Sequence, residues 1–118
     1  MYKGGGEYRE GETFCSPSCR STEHAEEIIS AILRGNEYQA LAFMCWRCTN
    51  YATVADEAGR TALHIASSSG KVRVLKWLIK KGVNLNIQDK ESGYTPLHRS
   101  LYHGQLNSAR YLIMVTKI

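Results

Sequence analysis

Apolar side chains recur along this chain at spacings of three and four, and small or polar residues cut them into short blocks. Ala25, Ile28, Ile29 and Ile32 form one stripe, which predicts a helix with a single buried face. Ser21 and Thr22 precede it as N-cap candidates, Glu23, Glu26 and Glu27 suit the positive end of its dipole, and Gly35 ends it. Asn36 with Gln39 three places on is a capping-box variant. It opens a second helix with the stripe Leu41, Met44, Cys45 and Cys48. Further on, Val74, Leu75, Leu78 and Ile79 mark another apolar face, closed by Lys80 and Lys81 near the negative carbonyl end and then by Gly82.

The second half of the chain is one pattern written twice. Gly59, Thr61, Leu63, His64, Gly70, Leu78 and Ile79 recur 34 positions later as Gly93, Thr95, Leu97, His98, Gly104, Leu112 and Ile113. Each residue has a physical task. Thr95 is an N-cap, and Pro96 behind it fills the first helical position, where its missing donor was orphaned in any case. Gly70 and Gly104 stop short first helices in the left-handed conformation that Gly enters cheaply. Residues 83–90 are extended and turn-rich, as a projecting tip requires. Period and signature resemble the ankyrin repeat. The resemblance implies an all-α fold, a solenoid of helix-turn-helix units with short hairpin tips. It also implies that His64 and His98 are structural, bonding the backbone of an adjoining tip.

Sliding the first helix pair by 35 positions puts Gly35 on Gly70, Phe43 on Leu78 and Met44 on Ile79, so this pair is a degenerate terminal repeat. The expected organisation is therefore a flexible tail over residues 1–20, a capping helix pair over 21–55, a repeat over 56–88, and a truncated repeat over 89–118. The tail reading rests on Gly4, Gly5, Gly6, Gly11 and scattered charge, with little apolar material to offset ordering. Ile113, Met114, Val115 and Ile118 need a polar cap that does not follow, so the chain is expected to be marginally stable or self-associating.

A chain of 118 residues, 43% apolar, can bury one core. No apolar run approaches the roughly 18 residues of a membrane helix, and no basic-then-apolar leader opens the chain, which leads to the expectation of a cytoplasmic protein that also reaches the nucleus. Charge is uneven, net −2 over residues 1–55 and +6 over 56–118. Lys71, Arg73, Lys76, Lys80, Lys81 and Arg110 fall on second helices, whose outer face is solvated, and no aromatic interleaving accompanies them, so nucleic acid is not expected as a partner.

Four thiols lie in two close pairs, Cys15-x3-Cys19 and Cys45-x2-Cys48, which together could close a tetrahedral zinc site and make a zinc-stabilised structural or sensing module. The plainer reading treats Cys45 and Cys48 as small hydrophobes on a helix stripe and Cys15 and Cys19 as part of a mobile tail. On that reading no metal and no cofactor is expected. His24 and His103 have no acidic or nucleophilic partner at a recognisable spacing, and no constellation reads as catalytic. Arg99 and Ser100 depart from the repeat pattern, which usually has an apolar residue and Ala there; Arg99 is expected either to be exposed by a packing shift or to pair with a group outside the chain.

The function expected is protein–protein interaction through the concave side, where Arg60, Ser68, Ser69, Lys90, Glu91, Tyr94, Tyr102 and His103 stand. A finer likeness rests on Asp89-Lys90-Glu91-Ser92-Gly93, Leu97-His98-Arg99-Ser100, Trp77-Leu78-Ile79, Lys81-Gly82-Val83 and Cys19-Arg20-Ser21. These runs resemble the ankyrin segment of a family of kinase-binding inhibitors and ubiquitin-ligase substrate adaptors. That likeness implies a fragment or short form of such a protein, with a tyrosine kinase or a ligase substrate as partner.

Overall fold

The computed structural model describes residues 15–116, so residues 1–14 of the expected tail lie outside the described residues. Six helices follow in order: α1 (Thr22–Arg34), α2 (Glu37–Arg47), α3 (Ala62–Ser69), α4 (Val72–Lys80), α5 (Pro96–Tyr102) and α6 (Leu106–Thr116). Among the described residues there is no strand, and no helix is long and apolar enough to cross a membrane. The first helices α1, α3 and α5 stack side by side as an inner layer, while α2, α4 and α6 form the layer behind them.

The caps follow the sequence. The Ser21 hydroxyl accepts from the His24 amide at 3.1 Å, and Asn36 Oδ1 accepts from the Gln39 amide at 2.8 Å. Thr61 and Thr95 each close a reciprocal box with the histidine three residues on, capping α3 and α5. Helix α4 has no cap of its own at Lys71. Glu37, from the preceding repeat, supplies it: its Oε2 accepts from the Arg73 and Val74 amides at 2.8 and 3.1 Å. A carboxylate is well placed at this positive helix end.

Ala25, Ile28, Ile29 and Ile32 are buried as expected. On α2 the stripe is turned by one residue. Ala40 and Met44 are buried, Leu41 is only half-buried, and Cys45 is exposed. The reason is that the i, i+4 row running through Ala40 and Met44 faces α1 and α4, and Cys48 joins it as an extended C-cap after the helix has ended. Residues 15–20 also depart from the expected flexible tail. The Asn50 side-chain amide donates to the Pro17 and Cys19 carbonyls at 2.8 and 3.0 Å, and the Thr49 hydroxyl donates to the Cys15 carbonyl at 3.3 Å. Cys15 and Cys19 pack against the core.

His64 joins the repeats. Its ring is fully buried, and Nδ1 accepts from the Thr61 amide at 3.1 Å. Because that amide can only donate, Nε2 carries the proton and donates to the Ile87 and Tyr94 carbonyls, both at 3.1 Å. His98 repeats the capping half of this arrangement on an exposed ring. On the outer layer, Arg73, Lys76 and Lys81 lie over the rings of Tyr38, Tyr111 and Trp77 at 5.1, 5.1 and 4.9 Å. These basic side chains cover aromatic surface of the chain itself.

Two predictions follow from this architecture. Burial lowers the His64 pKa below its ordinary 6.5, partly offset by the Tyr94 and Ile87 carbonyls and by Asp89, with nearby Arg99 adding to the lowering. The unfolded chain therefore takes up a proton that the folded chain resists. Its contribution is fully present above pH 6.5 and is lost as pH falls below that value. Chemical denaturation at stepped pH is expected to show this fall, and His64→Ala to remove it while costing about 3 kcal/mol, since three backbone groups lose their partner. The second concerns the far face, where Leu101, Leu106, Ile113 and Met114 are 51%, 64%, 54% and 59% exposed. Sedimentation velocity is expected to show association that grows with concentration and disappears on changing Ile113 and Met114 to Lys.

Candidate functional site

Each tip is organised by one buried aspartate. Asp56 Oδ1 accepts from the Ala58 and Arg60 amides at 3.0 and 2.8 Å, and its Oδ2 holds Arg60 Nε and Nη2 at 2.8 and 2.7 Å. Asp89 Oδ1 accepts from the Ser92 and Gly93 amides at 2.7 and 3.1 Å, and its Oδ2 holds Arg99 Nε and Nη2, both at 2.9 Å. The second turn has one more residue between its aspartate and glycine, and Tyr94 stands where Arg60 stood, so the guanidinium comes from α5 instead. That resolves the departure at Arg99. It neither faces solvent nor awaits a group outside the chain, because Asp89 is buried beside it.

The tips are laced to each other. The Lys90 amide donates to the Ala58 carbonyl at 2.8 Å. Gly59 makes the approach possible: it holds φ +79°, and a Cβ there would lie 2.8 Å from the Lys90 nitrogen. Beside this junction runs a groove of about 500 Å³ lined by Glu26, Asp56, Glu57, Arg60, Lys90 and Glu91. Arg60 is neutralised by Asp56, which leaves Glu26, Glu57 and Glu91 against Lys90 alone. The groove is therefore acidic, whereas this half of the chain is basic overall. The sequence gives no signal for Glu26 and Glu57 here, since stacking of the first repeat brings Glu26 to the groove and the lacing of the two tips brings Glu57 beside Lys90.

Tyr94, Tyr102 and His103 form a separate aromatic edge. The Tyr94 ring is 5.6 Å from His98 and 6.1 Å from Tyr102, and Tyr102 meets His103 edge-on at 5.2 Å. Tyr102 is 73% exposed, and Tyr94 is half-buried. Ser68 and Ser69 belong to neither cluster: both hydroxyls donate back to the Ile65 carbonyl inside α3. Their side chains serve the helix first.

A third cluster lies at the opposite end of the stack. Cys15, Cys19, His24 and Cys48 bring three sulfurs and one imidazole nitrogen within 4.8 Å of one another. Cys15 Sγ and Cys19 Sγ lie 3.2 and 3.4 Å from His24 Nδ1, and Cys48 Sγ lies 3.7 Å from Cys19 Sγ. Burial pushes the Cys48 thiol up to about 12, against the pull of the Asn50 amide. The four cysteines of the sequence reading are thus not the set brought together: exposed Cys45 is outside it, and His24 takes the fourth place. A signal was present in the spacing. Ser21-x2-His24 matches Thr61-x2-His64 and Thr95-x2-His98, each an N-cap followed by a histidine in the first turn.

Stacked helix pairs, laced tips and the buried histidine define an ankyrin-repeat protein. The chain belongs to the ankyrin-repeat family, whose model matches residues 20–117 as three copies. Among individual proteins it is similar to the inhibitor of Bruton tyrosine kinase from Homo sapiens, 50% identical over 93 residues, which is 79% of this chain and 7% of that protein. The Xenopus laevis inhibitor is 46% identical over 100 residues, 84% of this chain and 8% of its own length. Human protein phosphatase 1 regulatory subunit 27 is 38% identical over 82 residues, covering 70% of this chain and 52% of that protein. The chain thus spans less than a tenth of the length of the two inhibitors.

The Asp89–Arg99 pair yields a prediction. Burial alone raises the Asp89 carboxyl, but the Ser92 amide and hydroxyl and the Arg99 guanidinium outweigh it and bring it to about 2. An acid whose pKa is lowered on folding contributes stability above its unfolded value, here 3.8, that is lost as pH falls towards 2. The loss over that window is expected to be about 2 kcal/mol. Arg99→Ala, which strands a buried carboxylate, is expected to cost about 3 kcal/mol or more, and Lys90→Ala under about 1. Urea titration of the two variants checks the order.

Proposed function

We propose that this chain is a non-catalytic interaction module that binds a kinase or a kinase-associated protein through its tips and aromatic edge. The observation that supports the reading is an acidic groove at the tips together with a separate aromatic edge on which Tyr102 and His103 are exposed. Glu26, Glu57 and Glu91 favour a basic segment, and Tyr94, Tyr102 and His103 offer apolar area with polar edges, the combination found at binding hot spots. Ankyrin repeats are interaction scaffolds, and the similarity to inhibitors of Bruton tyrosine kinase supports a kinase as the partner class. A role as ubiquitin-ligase substrate adaptor, in the cytoplasm or nucleus, is the finer form of the same proposal.

The partner segment is expected to carry Lys or Arg for the groove and an apolar residue for the rings. Binding to the purified kinase, followed by calorimetry, is expected to weaken about 30-fold in Tyr102→Ala, corresponding to about 2 kcal/mol. Glu57→Ala and Glu91→Ala are expected to act mainly on association rate and salt dependence. Unchanged binding in a folded Tyr94→Ala, Tyr102→Ala double variant refutes the proposed surface.

A further inference from the structure

We infer that Cys15, Cys19, His24 and Cys48 form a structural zinc(II) site that closes the first end of the repeat stack. The distances carry the assignment. Tetrahedral zinc with sulfurs at about 2.3 Å and a nitrogen at about 2.05 Å sets neighbouring sulfurs about 3.8 Å apart and sulfur from nitrogen about 3.5 Å apart. Three of the six edges are 3.7 Å between Cys48 and Cys19, and 3.2 and 3.4 Å from the two tail sulfurs to His24 Nδ1, and all six lie within 4.8 Å. A disulfide between Cys19 and Cys48 needs sulfurs about 2.05 Å apart. Two sulfurs on one imidazole nitrogen, with a third sulfur beside them, also exceed what a nucleophile–base pair requires, and Cys48 has no surface open to a substrate.

The surroundings suit zinc thiolates. The Ser21 amide donates to Cys19 Sγ at 3.5 Å, the kind of outer-shell donor that steadies metal-bound sulfur. On binding, three thiols release three protons while neutral His24 supplies a lone pair, leaving the site one unit negative. That charge sits at the first turn of α1, where the helix dipole favours it. The comparison among repeats gives the site a function. In α3 and α5 the first-turn histidine bonds back to its own N-cap amide through Nδ1. In α1 the Ser21 amide goes to Cys19 instead, and His24 Nδ1 turns to the thiols. The metal thus ties residues 15–20 and the Cys48 corner to the first repeat, covering an end that has no preceding repeat against it among the described residues.

The test uses the full 118-residue chain purified without added metal. Elemental analysis is expected to give one zinc per chain, and exchange with cobalt to give the intense visible bands of tetrahedral coordination with thiolate charge transfer in the near ultraviolet. Cys19→Ser and His24→Ala are expected to lose the stoichiometric metal, and Cys45→Ser to keep it. If the ligand variants fail to fold, the wild-type cobalt spectrum still decides. Wild-type protein that gains no metal from zinc-containing buffer, an octahedral cobalt spectrum, or a Cys45→Ser variant that loses zinc as Cys19→Ser does overturns the assignment.

Discussion

A buried imidazole holds this stack together. His64 accepts from the Thr61 amide at the start of its own helix and donates to the Ile87 and Tyr94 carbonyls of the next tip. One ring therefore fixes a helix start and the approach of two chain segments more than twenty residues away. Each of those backbone groups is costly to leave unmade in the interior, so the arrangement works only if all are satisfied together. The geometry of the tips, including the position of Tyr94, depends on it.

The tips use the same economy with carboxylates. Asp56 and Asp89 each gather the amides of a turn and one guanidinium, although the turns differ in length and the arginine comes from different places. Keeping the electrostatic arrangement while moving its cation lets the second turn carry Lys90 and Glu91 outward, while Ser92 turns its hydroxyl back to Asp89. The scaffold beneath such outward positions is what holds them still.

The two ends of the stack are finished differently. At the last helix pair, Leu101, Ile113 and Met114 remain exposed. At the first, a segment with little apolar content is held by thiols, an imidazole and the Asn50 amide. A short polar segment cannot offset its ordering entropy by burial alone, and a metal supplies that stabilisation in compact form.

Much of this was legible in the sequence, because repeats are local objects. Helical periodicity gave α1 and its buried face, Thr61, Thr95 and Asn36 gave helix starts, and the 34-residue recurrence of Thr-x-Leu-His gave the family. Those signals lie within one turn or one repeat, where spacing and contact are the same thing. What tertiary structure alone decided is whatever depends on segments meeting across repeats. The cation for Asp89 comes from α5, the cap of α4 comes from Glu37, and the groove is acidic because α1 brings Glu26 beside the tips. The thiol cluster shows the same division: composition indicated four cysteines in two pairs, but the turn of α2 sends Cys45 outward and the N-cap of α1 sends His24 inward. One residue of rotation on a helix, about 100°, separates a ligand from a surface side chain, and only packing between helices sets that rotation.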